Sequence, residues 1–269
     1  MKARIWGSRD LRAWYPAAGA GAEPVGEAWL SPPDCPVLIK LLFPRERLSV
    51  QVHPDDAYAA AHGLGCGKSE AWYVVTSDPD ARLAAGLRPG VSLAEFEAAC
   101  RAGHGETLLQ WIPVAAGDVV DVPAGTVHAI GGGMVLLEVQ QPSDVTFRLH
   151  DFGRGRTLHW SDGFAAAKEA TASGRVLHGL AAGQSGCLLA TPHFQMWRHC
   201  ATPTLPLQIA PLAQPRWLVS LTAGGAIPKG WLAELPAGAD FSQYFSQRSS
   251  QHTSQLGPAT LIEIRGGMS

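Results

Sequence analysis

Charge is what this sequence has least of. Asp, Glu, Lys and Arg make up 16% of its 269 residues, against about a quarter in an ordinary soluble protein. Because 46% of the chain is hydrophobic, the shortage of charge does not imply disorder; a chain this apolar can bury enough surface to offset its ordering entropy. An excess of one sign is also missing. The 21 basic and 23 acidic residues leave a formal charge of −2, which excludes the basic footprint of a nucleic-acid binder. Long apolar runs are absent too. A membrane helix needs about 20 consecutive apolar residues, whereas the best run, 36–43, is short and carries Lys40. Residues 1–10 lack the apolar stretch of a secretory signal. The five cysteines, Cys35, Cys66, Cys100, Cys187 and Cys200, are scattered with no CxxC pair. That excludes zinc-finger chemistry and predicts reduced thiols in a cytoplasmic protein.

Glycine and proline are plentiful instead, at 30 and 20 residues, above the share of about 12% that the two contribute on average. They show no third-residue period, which excludes a collagen helix. They suit short strands joined by tight turns. The clearest strands are predicted at 36–43, 48–53, 71–76, 119–122, 134–140 and 144–150. Helices are predicted at 55–62, after Pro54; at 92–100, where Ser92 and Glu95 form a capping-box pattern; and at 161–170, which opens on Ser161 and Asp162. The Gly-rich stretch 170–186 reads as a boundary. Beyond it, strands resume at 187–190, 194–199, 217–221, 230–235 and 260–264, and the Ser- and Gln-rich 246–255 reads as a mobile loop. Many strands with a few inserted helices predict a mainly β sandwich or barrel.

One internal repeat stands out. Residues 117–125, GDVVDVPAG, and 230–238, GWLAELPAG, share a Gly turn, a strand and a Pro-Ala-Gly turn. One copy falls in each half, which favours two related β-domains in tandem, 1–168 and 169–269. Aligning the turns sets Phe241 opposite His128. A Phe ligates no metal, and no Gln-x-His strand precedes it, so the second domain is expected to hold none. Trp217, Leu218, Val219 and Leu221 are expected to be core or interface residues.

Alternate residues of a strand point to opposite faces. In 48–53, Leu48, Val50 and Val52 share one face, and Ser49, Gln51 and His53 the other. Lys68 and Glu70 share a face at the start of the next segment. His128 lies just inside the strand that follows the first Pro-Ala-Gly turn. In 145–150, Val145, Phe147 and Leu149 oppose Thr146, Arg148 and His150. Glu138 shares its face with Leu136 and Gln140. Taken singly, each pattern also describes a strand with one solvated face. Together, Gln51, His53, Glu70 and His128 offer two imidazole nitrogens, a carboxylate and an amide oxygen. That set suits one zinc-type ion with open positions, and other divalent transition metals fit it as well.

Four blocks, 48–56 (LSVQVHPDD), 67–73 (GKSEAWY), 121–130 (DVPAGTVHAI) and 138–154 (EVQQPSDVTFRLHDFGR), resemble the type I mannose-6-phosphate isomerases, most of all the short bacterial form. The likeness runs from about Gly26 to His159, roughly half the chain. It implies two tandem cupin (jelly-roll) domains, one zinc per chain, and interconversion of mannose 6-phosphate and fructose 6-phosphate. It puts the zinc ligands at Gln51, His53, Glu70 and His128, and further active-site positions at Ser49, Lys68, Glu138 and Arg148. Under that reading Glu138 is the acid/base candidate or a partner of a ligand histidine. Arg148 binds enediolate or phosphate, and Lys68 and Ser49 contact phosphate or hydroxyl groups. The expected partner is a small sugar phosphate, with no nucleic acid and no membrane. The chain departs from the family in the short stretch after Arg154 and in its loosely matching last third. Two rivals remain open: a catalytically silent sugar-phosphate-binding cupin with a regulatory role, and a metal-dependent oxygenase.

Overall fold

The computed structural model describes residues 1–16, 20–169, 176–177, 180–181, 183–201, 209, 211–222, 227–241 and 259–267. Along the chain these form β1 (Lys2–Asp10), β2 (Ala20–Trp29), β3 (Leu38–Leu42), β4 (Val50–Val52), α1 (Asp56–Ala61), β5 (Glu70–Ser77), β6 (Arg82–Leu87), α2 (Leu93–Arg101), β7 (Leu109–Pro113), β8 (Val119–Val122), β9 (His128–Ile130), β10 (Met134–Gln140), β11 (Phe147–His150) and α3 (Trp160–Ala166). There follow β12 (Val176–Leu177), β13 (Gly186–Ala190), β14 (Phe194–Ala201), β15 (Arg216–Ser220), β16 (Leu232–Leu235) and β17 (Ala259–Gly266). The fold is mainly β, as the Gly and Pro punctuation predicts. The expected loop at 246–255 lies outside the described residues, as does most of the expected boundary at 170–186. Among the described residues no helix is long and apolar enough to cross a membrane.

Two compact units divide the chain. The first comprises Met1–Arg9, Ala22–Trp29 and Pro33–His178. It holds a sheet of order β1-β2-β3-β10-β5-β8-β12 and a second of order β11-β4-β9-β6-β7. Trp72, Val74, Val120 and Leu136 of the large sheet and Leu83, Ala85 and Ile130 of the small one share a core. Full burial of each Val, Leu or Ile among them contributes about 1.5–3 kcal/mol. The outer face of the small sheet forms another core, in which Val50, Val52, Ala84, Ala129 and Leu149 meet Phe96 and Cys100 of α2 and Ala166 of α3.

The period of two then sets up the site. Stepping two residues from the shared core along the same face leads from Trp72 to Glu70, from Leu136 to Glu138, from Leu42 to Lys40 and from Ile130 to His128. The ladder pairs Glu138 with Lys40 and with Trp72, Gln140 with Glu70, and Gln51 with both His128 and Arg148. The inner face is therefore apolar at one end and polar at the other.

Three local expectations need correction. Leu48 does not share a face with Val50 and Val52. It belongs to the inner core and they to the outer one, because β4 begins only at Val50 and the Leu48 N–H is tied to the Ile130 carbonyl at 2.8 Å. The helix expected at 161–170 runs from Trp160 to Ala166 without a side-chain cap. Its start is fixed from β11: the His159 Nδ1 accepts from the Arg148 N–H at 3.1 Å, and the Trp160 indole donates to the Leu149 carbonyl at 2.9 Å. His150 does not line up with Arg148, since the β4–β11 register shifts between them; its imidazole pairs with Glu106 at 3.1 Å. The capping box of α2 forms as read, with Ser92 accepting from the Glu95 N–H.

The second unit comprises Asp10–Gly21, Leu30–Pro32 and Gly179–Ser269. Its sheet runs β13-β14-β17-β15-β16. Leu218, Leu235, Phe241 and Leu261 form its core with Ile209 and Ile227, and Trp217, Val219 and Leu221 are also buried. The repeat is a real structural unit. Each Pro-Ala-Gly turn follows a strand and closes with the same bond, from Thr126 N–H to Pro123 O and from Ala239 N–H to Pro236 O, both at 3.1 Å. Each carries its glycine in the left-handed region, Gly125 at φ 90° and Gly238 at φ 72°, where a side chain is disfavoured.

Candidate metal centre and cleft

At the polar end of the first unit, His53, Glu70 and His128 converge. Each is at most 1% exposed, and their ligand atoms lie within 4.8 Å of one another, as a shared metal ion requires. Among the described residues this is the one group of three or more His, Cys, Asp or Glu side chains so arranged. The Glu70 oxygens are 3.4 Å from His53 Nε2 and 3.4 Å from His128 Nε2. Both imidazoles are oriented from behind: His53 Nδ1 is 3.0 Å from the Val145 carbonyl and His128 Nδ1 is 2.9 Å from the Thr126 carbonyl. A carbonyl only accepts, so the protons sit on Nδ1 and the Nε2 lone pairs face Glu70. Gln51 completes the group, its Nε2–H donating to His128 Nε2 at 3.2 Å. Amide oxygen and nitrogen are interchangeable by a half-turn, so the same side chain can present an oxygen instead.

The electrostatics match an ion site. Burial pushes His53 down to about 3 and holds His128 below its ordinary value, so both rings are neutral. Burial opposes the charge on Glu70, yet the Lys68 ammonium outweighs it and holds the carboxyl well below its usual range. The Lys68 ammonium is 3.4 Å from Glu70 and 3.2 Å from His53 Nε2. Neither Glu70 oxygen has a hydrogen-bond partner. A buried carboxylate without hydrogen bonds is costly, and a cation held by Glu70 and two imidazole lone pairs relieves that cost. The residues present therefore fit a metal ion.

Beside this group opens a cleft of ≈ 350 Å³, within the range of small-ligand sites. Ser49, Gln51, Lys68, Glu138 and Arg148 all line it. So do residues that sequence reasoning did not single out: Arg4, Glu27, Lys40, Asp144, Thr146 and Arg156. Five basic side chains against three carboxylates leave the walls positive, which favours an anionic ligand. Lys40 donates to Gln140 Oε1 at 2.6 Å and pairs with Glu138 at 3.0 Å. Glu138 is raised by its burial and by nearby Glu70, with Lys40 opposing. Arg148 spends one terminal nitrogen on the Thr157 carbonyl at 2.7 Å, while its buried Nε has no hydrogen-bond partner. Arg156 is anchored at the rim by Asp151. Two sequence signals pointed at the missed residues: a lysine inside the apolar run 36–43, and Thr146 on the face of Arg148.

No family model matches the chain. It is 39% identical over 200 residues to a mannose-6-phosphate isomerase of Streptococcus mutans serotype c, covering 70% of this chain and 61% of that protein. It is 43% identical over 131 residues to a probable mannose-6-phosphate isomerase of Bacillus subtilis, covering 46% of this chain and 41% of the relative. The chain thus spans less than two thirds of the length of these relatives. Among solved structures, the mannose 6-phosphate isomerase of Bacillus subtilis superposes with TM-score 0.68 at 23% identity, over 98% of this chain and 96% of that one. A putative mannosephosphate isomerase of Archaeoglobus fulgidus gives TM-score 0.67 at 17% identity, over 99% and 95%. By sequence and by fold, the chain is a relative of the mannose-6-phosphate isomerases.

Proposed function

We propose that this chain is a metal-dependent aldose–ketose isomerase that interconverts mannose 6-phosphate and fructose 6-phosphate. One observation carries the reading: the Glu70 carboxylate, buried without a hydrogen bond and faced by two imidazole lone pairs, beside a basic cleft. The names of the relatives supply the substrate. His53, Glu70 and His128 are assigned as ligands, with Gln51 as a fourth through its amide oxygen, and the ion as one zinc per chain. When bound, the ion supplies a Lewis acid that polarises sugar oxygens.

The remaining steps fall to the chain's own residues. The isomerisation moves a proton between C1 and C2. Glu138 takes it from one carbon and returns it to the other; its raised carboxyl suits both roles. Lys40, fixed at 3.0 Å, stabilises the ionised form of Glu138 before the proton is taken and after it is returned. The planar fork of Arg148 binds phosphate or the enediolate oxygen, and Lys68 and Ser49 hold hydroxyl groups. Residues 1–168 carry the chemistry. Residues 169–269 form a cupin-like domain without metal. The free thiols of Cys66, Cys100, Cys187 and Cys200 support a reducing compartment, the cytoplasm.

Metal analysis of the purified chain, combined with turnover of mannose 6-phosphate, tests the reading. One bound zinc and activity that vanishes on chelation are expected. Full activity after exhaustive chelation sinks it. Tight binding of mannose 6-phosphate without turnover replaces the isomerase with a silent regulatory binder.

A further inference from the structure

Two side chains of the centre lie outside its strands. His53 follows the end of β4, and Lys68 precedes β5 by two residues. No ladder fixes the gap between these segments, yet Lys68 stands 3.2 Å from His53 and 3.4 Å from Glu70. Two bonds join the segments directly, and Gln141 braces both. Its N–H donates to the Ser69 carbonyl at 3.0 Å, and its Oε1 accepts from the Ser69 N–H at 2.8 Å. One residue thus grips both backbone groups of the position between Lys68 and Glu70. Its Nε2–H donates to Asp56 Oδ1 at 3.0 Å, and the same oxygen accepts from the Gly67 N–H at 2.8 Å. Asp56 opens α1, three residues after His53. The Lys68 N–H closes the ring by donating to the Pro54 carbonyl at 2.9 Å. Gln141 is buried, and an amide is suited to this place: it offers an acceptor to one segment and a donor to the other.

We propose that Gln141 is a positioning residue. Through Ser69 and Asp56 it sets the distance between the His53 segment and the segment carrying Lys68 and Glu70. It thereby governs metal affinity and turnover while touching neither metal nor substrate. The turnover part rests on the functional reading above; the metal-affinity part rests on the Glu70 group alone.

The test compares the full chain, loaded with zinc, with Gln141→Leu, with Gln141→Glu, and with Gln141→Glu combined with Asp56→Asn. Zinc affinity by chelator competition, kcat and KM for mannose 6-phosphate, and Tm are measured. Gln141→Leu is expected to lower zinc affinity and kcat by about 10- to 100-fold, the range for groups that orient metal ligands, with little change in KM. Gln141→Glu keeps the acceptor for Ser69 but sets a second carboxylate against Asp56, so it is impaired as well. Adding Asp56→Asn removes the repulsion and returns a donor, so the double variant recovers most of the zinc affinity. A lowered Tm with zinc affinity and kcat unchanged assigns Gln141 to the fold alone and overturns the proposal. A double variant no better than Gln141→Glu overturns it too, and decides alone if Gln141→Leu does not fold. A native chain that binds zinc but does not isomerise mannose 6-phosphate rejects the functional reading. The zinc-affinity comparison then still decides the role of Gln141.

Discussion

Each unit of this protein buries a carboxylate beside a histidine, and the two are satisfied in opposite ways. In the second unit Glu263, fully buried on β17, is held by His199 Nε2 at 2.6 Å and Arg265 Nε at 2.7 Å, with Arg216 Nη1 at 3.6 Å. In the first unit Glu70 has two imidazole nitrogens and the Lys68 ammonium at 3.4 Å and no hydrogen bond. A carboxylate in a β interior needs a cation nearby. The second unit takes guanidinium groups from its own sheet, which supply the counter-charge of Glu263. The first unit supplies one ammonium, that of Lys68, and lone pairs from neutral imidazoles, which leaves room for a further cation. The contrast extends to the twin turns: after the first comes His128, after the second the core residue Phe241.

The strongest way to break this contrast is to remove an imidazole. His53→Ala and His128→Ala are each expected to abolish zinc retention and isomerase activity together, measured by metal analysis and turnover on the same sample. Activity surviving in a zinc-free variant would end the parallel between orphaned carboxylate and metal. Glu138→Gln separates chemistry from metal: kcat is expected to fall by about 10²–10⁴-fold, the usual worth of a general acid/base, with zinc retained. Loss of zinc in that variant would make Glu138 a support of the metal group. Next comes the second carboxylate. Glu263→Gln removes the buried carboxylate that His199, Arg216 and Arg265 face, at a cost of about 3–5 kcal/mol. Denaturant unfolding reads that loss, while zinc content per folded molecule is expected to stay unchanged.

Much of this was legible in the sequence because strand alternation is a strong signal wherever one face is apolar. Alternation groups Gln51 with His53 and Lys68 with Glu70, and these four side chains do meet at the metal group and its cleft. Legibility failed where the period breaks or inverts. β1 and β2 were not predicted, since β1 turns Lys2, Arg4 and Trp6 to one face and leaves Ile5 exposed at 55%, the reverse of the usual apolar stripe. Arg4 and Glu27 were missed with them, although Arg4 holds Glu27 by two bonds, at 2.9 and 3.0 Å. Leu48 and His150 were misassigned because a strand start and a register shift interrupt the count. Glu263 could not be found from sequence: beyond Arg265, two residues on, its partners His199 and Arg216 come from β14 and β15, 64 and 47 residues away in the numbering.

Acidification sharpens the comparison on the zinc-free chain. His53 has a folded-state value near 3, below its ordinary 6.5, because burial disfavours the charged ring. The folded state therefore binds fewer protons than the unfolded one between those values, and the stability His53 contributes is full above about 6.5 and lost as pH falls toward about 3. His128 is shifted in the same direction. Glu263 is also lowered, against its burial, by His199 and Arg265, so its contribution is present above the ordinary carboxyl value and lost only in more acid solution. Tm of the zinc-free protein is expected to begin falling below about pH 6.5. His53→Gln should remove part of that early fall and leave the later one. A Tm that is flat from pH 7 to 5 would show that neutral imidazoles are not what the first unit buries.

The smallest effect comes from the twin turns. Gly125 and Gly238 share a left-handed backbone, so replacing either with Ala carries the same conformational cost, about 1–2 kcal/mol. Their surroundings differ. A Cβ on Gly238 meets nothing within 4 Å, whereas one on Gly125 comes within 2.7 Å of the Lys168 side chain. Lys168 is not idle: its N–H donates to the Gly125 carbonyl at 2.9 Å and its ammonium pairs with Asp55 at 2.7 Å. Gly125 in turn donates its N–H to the His53 carbonyl at 2.8 Å. Gly238→Ala is therefore expected to lower stability by the backbone cost alone, with zinc affinity untouched. Gly125→Ala should cost somewhat more, because Lys168 must move, and should weaken zinc binding through the backbone of His53. Paired unfolding curves and chelator titrations read both quantities. Equal losses of stability with unchanged zinc affinity in both variants would mean that the first turn, like the second, only reverses the chain.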